Sequence, residues 1–214
     1  MIIGRNQKKL QAVCEEAGKH CKAFPMDITN FNDLDAMLEK MVLLAGGKID
    51  GFVNNAGIVG EIETNKVSYD DWDCVMDTIL KGAYFITRYL YNIMAKQQYG
   101  NIVMICSVRS IVGGTFPYTI SKAGLMNFTE GLAKKGISAG VRVNGICPSD
   151  VLTEIADVYS GYTPDGNLYY PAAKNINRLL LPDEIAEVAA FLISDASKCI
   201  TGQMIYCDGG YTLR

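Results

Sequence analysis

Residues 101–122, NIVMICSVRSIVGGTFPYTISK, join an apolar strand to the start of a helix and decide the fold of this 214-residue chain. The opening run, residues 101–106, does not alternate with polar side chains, which is typical of a strand buried on both faces. Similar runs occur at residues 49–53, 141–146 and 203–207. Helical segments separate them, so the order predicts an α/β fold, a doubly wound parallel sheet with helices on both faces.

Apolar side chains spaced three and four residues apart mark the helical segments. In residues 31–45 this spacing follows Thr29 or Asn30, either of which can cap the helix. The other predicted helices are residues 69–96, residues 118–135 and a segment that follows Pro182. No internal repeat or linker interrupts this order, so residues 1–214 are predicted to form a single domain.

Composition excludes several classes of protein. Hydrophobic residues make up 49% of the chain and charged residues 20%, which excludes a disordered chain. A net charge of -3 offers no basic surface for nucleic acid. No apolar run reaches the roughly 20 residues that cross a bilayer. The seven scattered cysteines and the lack of an export signal predict reduced thiols and a cytoplasmic protein.

Candidate binding residues follow the predicted strands, because ligands of such sheets lie beyond the carboxyl ends of the strands. After the strand at residues 49–53 comes Asn-Asn-Ala-Gly, residues 54–57, whose small side chains let a ligand approach the backbone. A tight turn explains the same four residues equally well. After the strand at residues 141–146 come residues 148–153, where Thr153 offers either a hydroxyl to a ligand or an ordinary helix cap.

Candidate catalytic residues lie in the stretch quoted above. Ser107 follows the strand, and Tyr118 and Lys122 lie four residues apart at a helix start, so they share one face. A lysine ammonium beside a phenol lowers the pKa of the phenol and makes it a usable acid or base. A tyrosine and a lysine at this spacing are common, so the pair alone does not establish a site. The single histidine, His20, is expected to be exposed, and no metal-binding set of side chains is apparent.

Together these segments resemble the short-chain dehydrogenase/reductase family. The resemblance rests on order and spacing over essentially the whole chain. The segments that carry it are Asp27-Ile28, Asn54 to Gly57, Ser107, Tyr118-x-x-x-Lys122, residues 148–153, residues 200–203 and Asp208-Gly209-Gly210.

The resemblance implies a role for each matching residue. Tyr118 would exchange the proton with the carbonyl or alcohol oxygen, Lys122 would support it and contact the nicotinamide ribose, and Ser107 would orient the substrate. The remaining implied cofactor contacts are Asp27 and Ile28 at the adenine, Asn54, Ala56 and Gly57 along the adenosine, and Pro148, Val151 and Thr153 at the nicotinamide.

Cofactor choice is expected to depend on Arg5, because the family selects its cofactor at the end of the second strand. Where a relative that uses NAD has an acidic residue, this chain has Gly4 and Arg5. An arginine suits the 2'-phosphate, so NADP is predicted rather than NAD. The resemblance also implies a homodimer or homotetramer formed through the long helices.

Three departures from the family pattern stand out. No glycine-rich phosphate loop, and no strand and helix around it, precedes Met1, so an N-terminally truncated chain lacking the first strand–helix unit is expected. Such a chain would leave two neighbouring strands without a partner, fold less stably and bind a dinucleotide weakly. Ile79 stands where the family usually has a catalytic asparagine, and the spacing from Ser107 to Tyr118 is slightly short.

Two functions are therefore weighed. The first is an oxidoreductase that transfers a hydride between NADP(H) and a small ketone or secondary alcohol, with Tyr118, Lys122 and Ser107 as its catalytic residues. The second is a non-catalytic relative that acts as a binding or interaction module, which Ile79 favours. Acyl thioesters, sugars, polyols and steroid-like alcohols all remain open as substrates. Residues 159–170, rich in tyrosine, are interpreted as a mobile loop that either covers the substrate or packs at an interface.

Overall fold

The computed structural model describes residues 1–153, 161–162, 168–169 and 178–213. Most of the predicted loop at residues 159–170 lies outside the described residues. The strands are β1 (Ile2–Gly4), β2 (Ala23–Pro25), β3 (Gly51–Asn54), β4 (Gly100–Ile105), β5 (Val141–Pro148), β6 (Gly161–Tyr162), β7 (Leu168–Tyr169) and β8 (Met204–Cys207). The helices are α1 (Gln7–Ala17), α2 (Leu34–Leu44), α3 (Tyr69–Met76), α4 (Ala83–Gln97), α5 (Arg109–Val112), α6 (Pro117–Gly136) and α7 (Pro182–Ile193).

The main sheet is parallel and has the order β3-β4-β5-β8. Its two central strands, β4 and β5, are buried over almost their whole length, as their apolar and not cleanly alternating sequences predict. Helices α4 and α6 share one hydrophobic core with these strands, and α7 packs with Val103 and Ile146 in another. The doubly wound α/β fold expected from the sequence is thus the observed architecture.

Strands β1 and β2 form a parallel pair that is separate from the main sheet. Among the described residues, β1 and β3 therefore each have a hydrogen-bonded strand on one side only, as the sequence analysis expects for two neighbours. A hydrophobic cluster joins the two sheets, since Ile3 of β1 and Phe52 of β3 both pack against buried residues of α2 and α4. Arg5 directly follows β1, and Asn54 is the last residue of β3, so both lie at the carboxyl ends of strands.

The helix predicted for residues 69–96 is confirmed over α3 and α4, with a π-helical turn, Asp77–Gly82, within it. One local expectation is wrong. The cap of α2 is Asp33, not Thr29 or Asn30. The reason is that the Asp27 carboxylate accepts hydrogen bonds from the Thr29 amide at 2.9 Å and its hydroxyl at 2.7 Å, which holds Thr29 in a turn before the helix.

Replacing Leu38 with alanine is expected to lower the free energy of unfolding by about 2–5 kcal/mol. Leu38 is fully buried in the cluster that joins the β1–β2 pair to the main sheet, so the truncation leaves a cavity. Leu43, on the same helix, is 69% exposed, and Leu43→Ala is the matched control, expected to change stability by less than about 0.5 kcal/mol. Urea denaturation of both variants measures the difference. Equal losses for the two variants would show that this cluster does not hold the fold together.

Candidate active site

Tyr118 and Lys122 lie in the first two turns of α6, as predicted. The helix begins at Pro117, whose fixed backbone angle suits a first helical position. Lys122 is only 4% exposed, and its Nζ lies 5.7 Å from the centre of the Tyr118 ring. The pair therefore shares one helix face, and that face is turned toward the carboxyl end of β4.

Lys122 is a buried cation held by the backbone. Its Nζ donates a hydrogen bond of 2.6 Å to the carbonyl oxygen of Ile105, the last residue of β4. Burial lowers the pKa of Lys122 from its ordinary value of 10.5 to about 8, because the charged form loses its hydration. The thiols of Cys106 and Cys147 favour the charged form to a smaller extent. The ammonium is thus fixed in place but costly to keep charged.

The pKa of Tyr118 differs from the sequence expectation. Burial of the phenol raises its pKa above the ordinary value, and a hydrogen bond with Ser107 and the charge of Arg109 offset only part of this effect. The predicted lowering by Lys122 is wrong for the protein without bound ligands, since its ammonium donates to Ile105 instead. At neutral pH the Tyr118 phenol is therefore protonated and able to donate its proton.

Ser107 follows β4 and lies at the junction of the two central strands. The amide of Val108 donates to the Pro148 carbonyl at 3.0 Å, which places the residues after β4 beside the end of β5. Ser107 is only 7% exposed. Its hydroxyl accepts a hydrogen bond of 3.2 Å from the Arg109 amide. Its position is thus set by backbone on both sides.

A single cavity of about 990 Å³ brings these residues together. Its walls come from the carboxyl ends of β3, β4 and β5 and from one face of α7, as expected for a doubly wound sheet. The sequence-predicted residues that line it are Gly57, Ser107, Tyr118, Lys122, Pro148, Val151 and Thr153.

The other predicted residues lie outside this cavity. Asn54 is buried at the end of β3, and Ala56 is half-buried beyond it. Ile28 packs its backbone against Gly82, where a Cβ would come within 3.2 Å of the Ile28 oxygen. Arg5 and Asp27 are exposed at the ends of β1 and β2, and the Arg5 charge helps the Thr29 hydrogen bonds to lower the pKa of Asp27. The structure thus divides the predicted cofactor residues between the two sheets.

Several cavity residues were not singled out by the sequence analysis. Arg109 and Asp150 both line the cavity, and burial raises the pKa of Asp150 while the Arg109 charge opposes this. Asn55 also lines it. The position of Arg109, two residues after Ser107 at a strand end, was a usable signal. The apolar wall on α7 had no such signal, since its sequence shows only an amphipathic helix; its members are Pro182, Ile185, Ala186, Ala189, Ala190 and Ile193.

Ile79 does not reach the cavity. It lies in the π-helical turn, is fully buried, and belongs to the same hydrophobic core as Leu125 of α6. Leu80, next along the chain, packs against Gly124 of α6, where a Cβ would meet its methyl group at 3.0 Å. The position that the resemblance assigns to a catalytic asparagine therefore serves packing in this chain, and any polar contribution there must come from the backbone.

The described residues fit the nicotinamide end of a dinucleotide. Gly57 lies beside Lys122, since a Cβ at Gly57 would be 3.8 Å from Lys122 Nζ, in ordinary contact with it. The side-chain amide nitrogen of Asn54 is buried and has no hydrogen-bond partner among the described residues. The small Gly57 thus leaves space beside Lys122 in the cavity that Pro148, Val151 and Thr153 also line.

Three other expectations concern metals, histidine and membranes. Among the described residues, no group of three or more histidine, cysteine or acidic side chains is placed to hold a metal ion. His20 is exposed, and all seven cysteines are free thiols. No helix in the described part of the chain is long and apolar enough to cross a membrane.

The parallel α/β sheet is Rossmann-like, and Ser107, Tyr118 and Lys122 converge at its carboxyl edge. The family model described as enoyl-(acyl carrier protein) reductase matches residues 2–212. The chain belongs to the short-chain dehydrogenase/reductase family, and it is a short-chain oxidoreductase.

Similar proteins extend along most of the chain. A 3-oxoacyl-[acyl-carrier-protein] reductase from Thermotoga maritima is 32% identical over 97% of this chain and 85% of the relative. An acetoacetyl-CoA reductase from Acinetobacter is 33% identical over 86% of this chain and 73% of the relative. The crystal structure of a short-chain family oxidoreductase from Burkholderia thailandensis superposes with a TM-score of 0.82 at 25% identity, covering 99% of this chain and 82% of that one.

Proposed function

We propose that the protein reduces a small ketone to a secondary alcohol with NADPH, and catalyses the reverse reaction with NADP. The observation that carries this proposal is the convergence of Ser107, Tyr118 and Lys122 in one cavity at the carboxyl edge of the sheet. The named activities of the relatives, reductases of 3-oxoacyl and acetoacetyl thioesters, are also carbonyl reductions.

Tyr118 is the proton donor in this proposal. Its phenol is buried beside Ser107, and its raised pKa keeps it protonated at neutral pH, the form that carbonyl reduction requires. The Ser107 hydroxyl, fixed by the Arg109 amide, is available to hydrogen-bond the same carbonyl oxygen. Together the two hydroxyls polarise the carbonyl and stabilise the negative charge that develops on its oxygen.

Lys122 supports the proton transfer by Tyr118. Its ammonium is held by Ile105 and faces Gly57, so it is placed to hold the ribose of the cofactor and to favour the phenolate that Tyr118 leaves behind. The cofactor, when bound, supplies the hydride to the carbonyl carbon. Side chains of α7 add an apolar wall to the same cavity.

The purified protein tests this proposal directly. Incubated with NADPH and a panel of ketones, including 3-oxoacyl thioesters, it is expected to consume NADPH and to form an equimolar amount of alcohol, measured by absorbance at the nicotinamide band and by chromatography. NADPH consumption without alcohol, or no consumption with any carbonyl compound, would instead favour the non-catalytic binding module that the buried Ile79 suggests.

Arg5→Ala is expected to raise KM for NADPH by roughly tenfold or more, because a charge-assisted contact to the 2'-phosphate contributes about 1.5–3 kcal/mol. KM for NADH should stay within about twofold of the wild-type value, since NADH has no 2'-phosphate. Arg5 is exposed at the end of β1, directly before the Asn6 cap of α1, and the first turn of that helix carries no acidic residue. Arg88→Ala, an exposed arginine on α4, is the control. Equal changes in both KM values would contradict selection of NADP by Arg5.

The proposal includes a homodimer or homotetramer that forms through α4 and α6. Both helices expose large apolar side chains, Tyr84 at 42% and Ile120 at 41%. Static light scattering of the protein and of a Tyr84→Glu variant distinguishes this assembly from a monomer.

A further inference from the structure

Two thiols outside the active site lie close enough to react with each other. The Sγ atoms of Cys14 and Cys21 are 3.0 Å apart, with Cys14 donating to Cys21. Cys14 lies in the last half of α1, and Cys21 lies in the connection between α1 and β2. Both are partly exposed, so small molecules reach them from solvent.

The backbone between the two cysteines brings their sulfur atoms close together. After α1 ends, the amide of Gly18 donates to the Cys14 carbonyl at 3.0 Å, and the amide of Cys21 donates to the Gly18 carbonyl at 3.0 Å. Gly18 has φ +82°, a backbone conformation that side chains with a Cβ rarely adopt. The chain thus reverses over one glycine and returns Cys21 to the side of α1.

The strand that follows holds Cys21 in this position. The Ile2 amide donates to the Lys22 carbonyl at 2.9 Å, which joins the residue after Cys21 to β1. Neither sulfur can therefore drift far from the other without breaking backbone hydrogen bonds. A disulfide between them would close a short local loop and would join α1 to the start of β2.

We propose that Cys14 and Cys21 form a redox-active dithiol, a modification site that small oxidised disulfides such as glutathione disulfide convert to an intramolecular disulfide. In the first step the Cys21 thiolate attacks one glutathione sulfur, and the other leaves as glutathione thiolate. In the second step the Cys14 thiolate, its proton lost to water, attacks the Cys21 sulfur and displaces the second glutathione. Two protein thiols are oxidised, and one disulfide is reduced to two thiols.

The order of attack follows from the hydrogen bond. The bond donated to Cys21, together with burial, raises the pKa of Cys14, so Cys14 is the thiol that keeps its proton. The first attack on the oxidant therefore comes from Cys21, and Cys14 is the resolving thiol. The helix and turn hold the resolving thiol beside its target, which favours closure over a lasting mixed disulfide.

The remaining cysteines provide internal controls. Cys106, in the wall of the active-site cavity, and Cys147 are 2% and 0% exposed, so glutathione disulfide is not expected to react with them in the folded protein. Cys74 and Cys199 are exposed. They are expected to form mixed disulfides with glutathione at most.

Mass spectrometry of the folded protein tests the proposal. The protein is incubated with an excess of glutathione disulfide, quenched with acid, alkylated and digested. The expected result is a linked peptide pair containing Cys14 and Cys21 with two hydrogen atoms lost, which dithiothreitol reverses. A glutathione adduct on the exposed Cys74 shows that the reagent has reacted. If Cys14 and Cys21 are then recovered as separate peptides, each alkylated or each carrying glutathione, the proposal is overturned.

Two variants test the order of attack. Cys14→Ser is expected to leave a persistent glutathione adduct on Cys21, because no resolving thiol remains. Cys21→Ser is expected to react at Cys14 more slowly than Cys14→Ser reacts at Cys21, because the serine hydroxyl can still accept the hydrogen bond that raises the pKa of Cys14. Equal rates of adduct formation in the two variants would contradict the assigned order, and rapid loss of the Cys21 adduct in Cys14→Ser would contradict the pairing itself.

Discussion

Tyr118→Phe is expected to lower kcat for ketone reduction by about 10³-fold, within the 10²–10⁴-fold range of general acid catalysis, while KM for NADPH stays within about threefold. The substitution removes one hydroxyl, the proton donor, and keeps the ring that packs beside Phe116. Steady-state kinetics with any ketone that the protein reduces measures both constants.

Tyr69→Phe is the matched control for this loss. Tyr69 is 92% exposed at the start of α3 and does not line the cavity, so kcat of the Tyr69→Phe variant should remain that of the wild type. Wild-type kcat in the Tyr118 variant would remove Tyr118 from the reaction. An equal fall in both variants would point to damage of the fold, which near-ultraviolet circular dichroism would reveal.

Lys122→Met is expected to lower kcat by about 10²-fold or more, because the ammonium that supports the phenolate is lost. Lys122 affects stability with a pH dependence opposite to that of a lysine whose pKa is raised by a partner. Between pH 8 and 10.4 the unfolded chain retains a proton that the folded protein has released, so the free energy of unfolding of the wild type rises with pH there. Below pH 8 both states hold the proton, and the full cost of the buried charge is present.

The difference in unfolding free energy, wild type minus Lys122→Met, is therefore expected to increase by about 2–3 kcal/mol from pH 7 to pH 10.5. At pH 7 the methionine variant should be no more than about 1 kcal/mol less stable, since the hydrogen bond that it loses at Ile105 is offset by removal of the buried charge. Urea titrations at several pH values measure this. Lys134→Met, at an exposed position on the same helix, should show no such trend. A flat difference for Lys122 would contradict the assigned burial cost.

Much of the main sheet follows from local sequence. The runs that became β4 and β5 are largely apolar because these central strands are buried, and this burial can be predicted from the residues themselves. The runs that became β3 and β8 were also predicted, although both strands are only partly buried. Residues 118–135 predicted α6 to within one residue at each end. Strand β2 was not predicted, because three residues are too few to show a period.

The π-helical turn at Asp77–Gly82 shows why some features escape such prediction. One extra residue in a helical turn changes which side chains face the core without changing the apolar composition. The α2 cap at Asp33 depends on a competing contact, the hold of Asp27 on Thr29, which spacing alone does not show.

The site was partly predictable for a related reason. Ser107, Tyr118 and Lys122 are linked by one strand and one helix, so the chain order itself places them together. Arg109 follows the same strand and could have been included. The α7 wall comes from a segment more than sixty residues away, and only tertiary packing brings it to the cavity. The pKa of Tyr118 likewise depends on burial, which a residue pair four apart does not reveal.

The central claim is that the cavity holding Ser107, Tyr118 and Lys122 transfers a hydride from NADPH to a carbonyl carbon. Reduction of a ketone with NADPH deuterated at C4 of the transferred face, followed by mass spectrometry of the alcohol, tests it most directly. The predicted result is one deuterium on the carbinol carbon of each product molecule, with Tyr118→Phe forming this alcohol about 10³-fold more slowly than the wild type. An alcohol without deuterium from either face, or equal rates from the two proteins, would contradict the account.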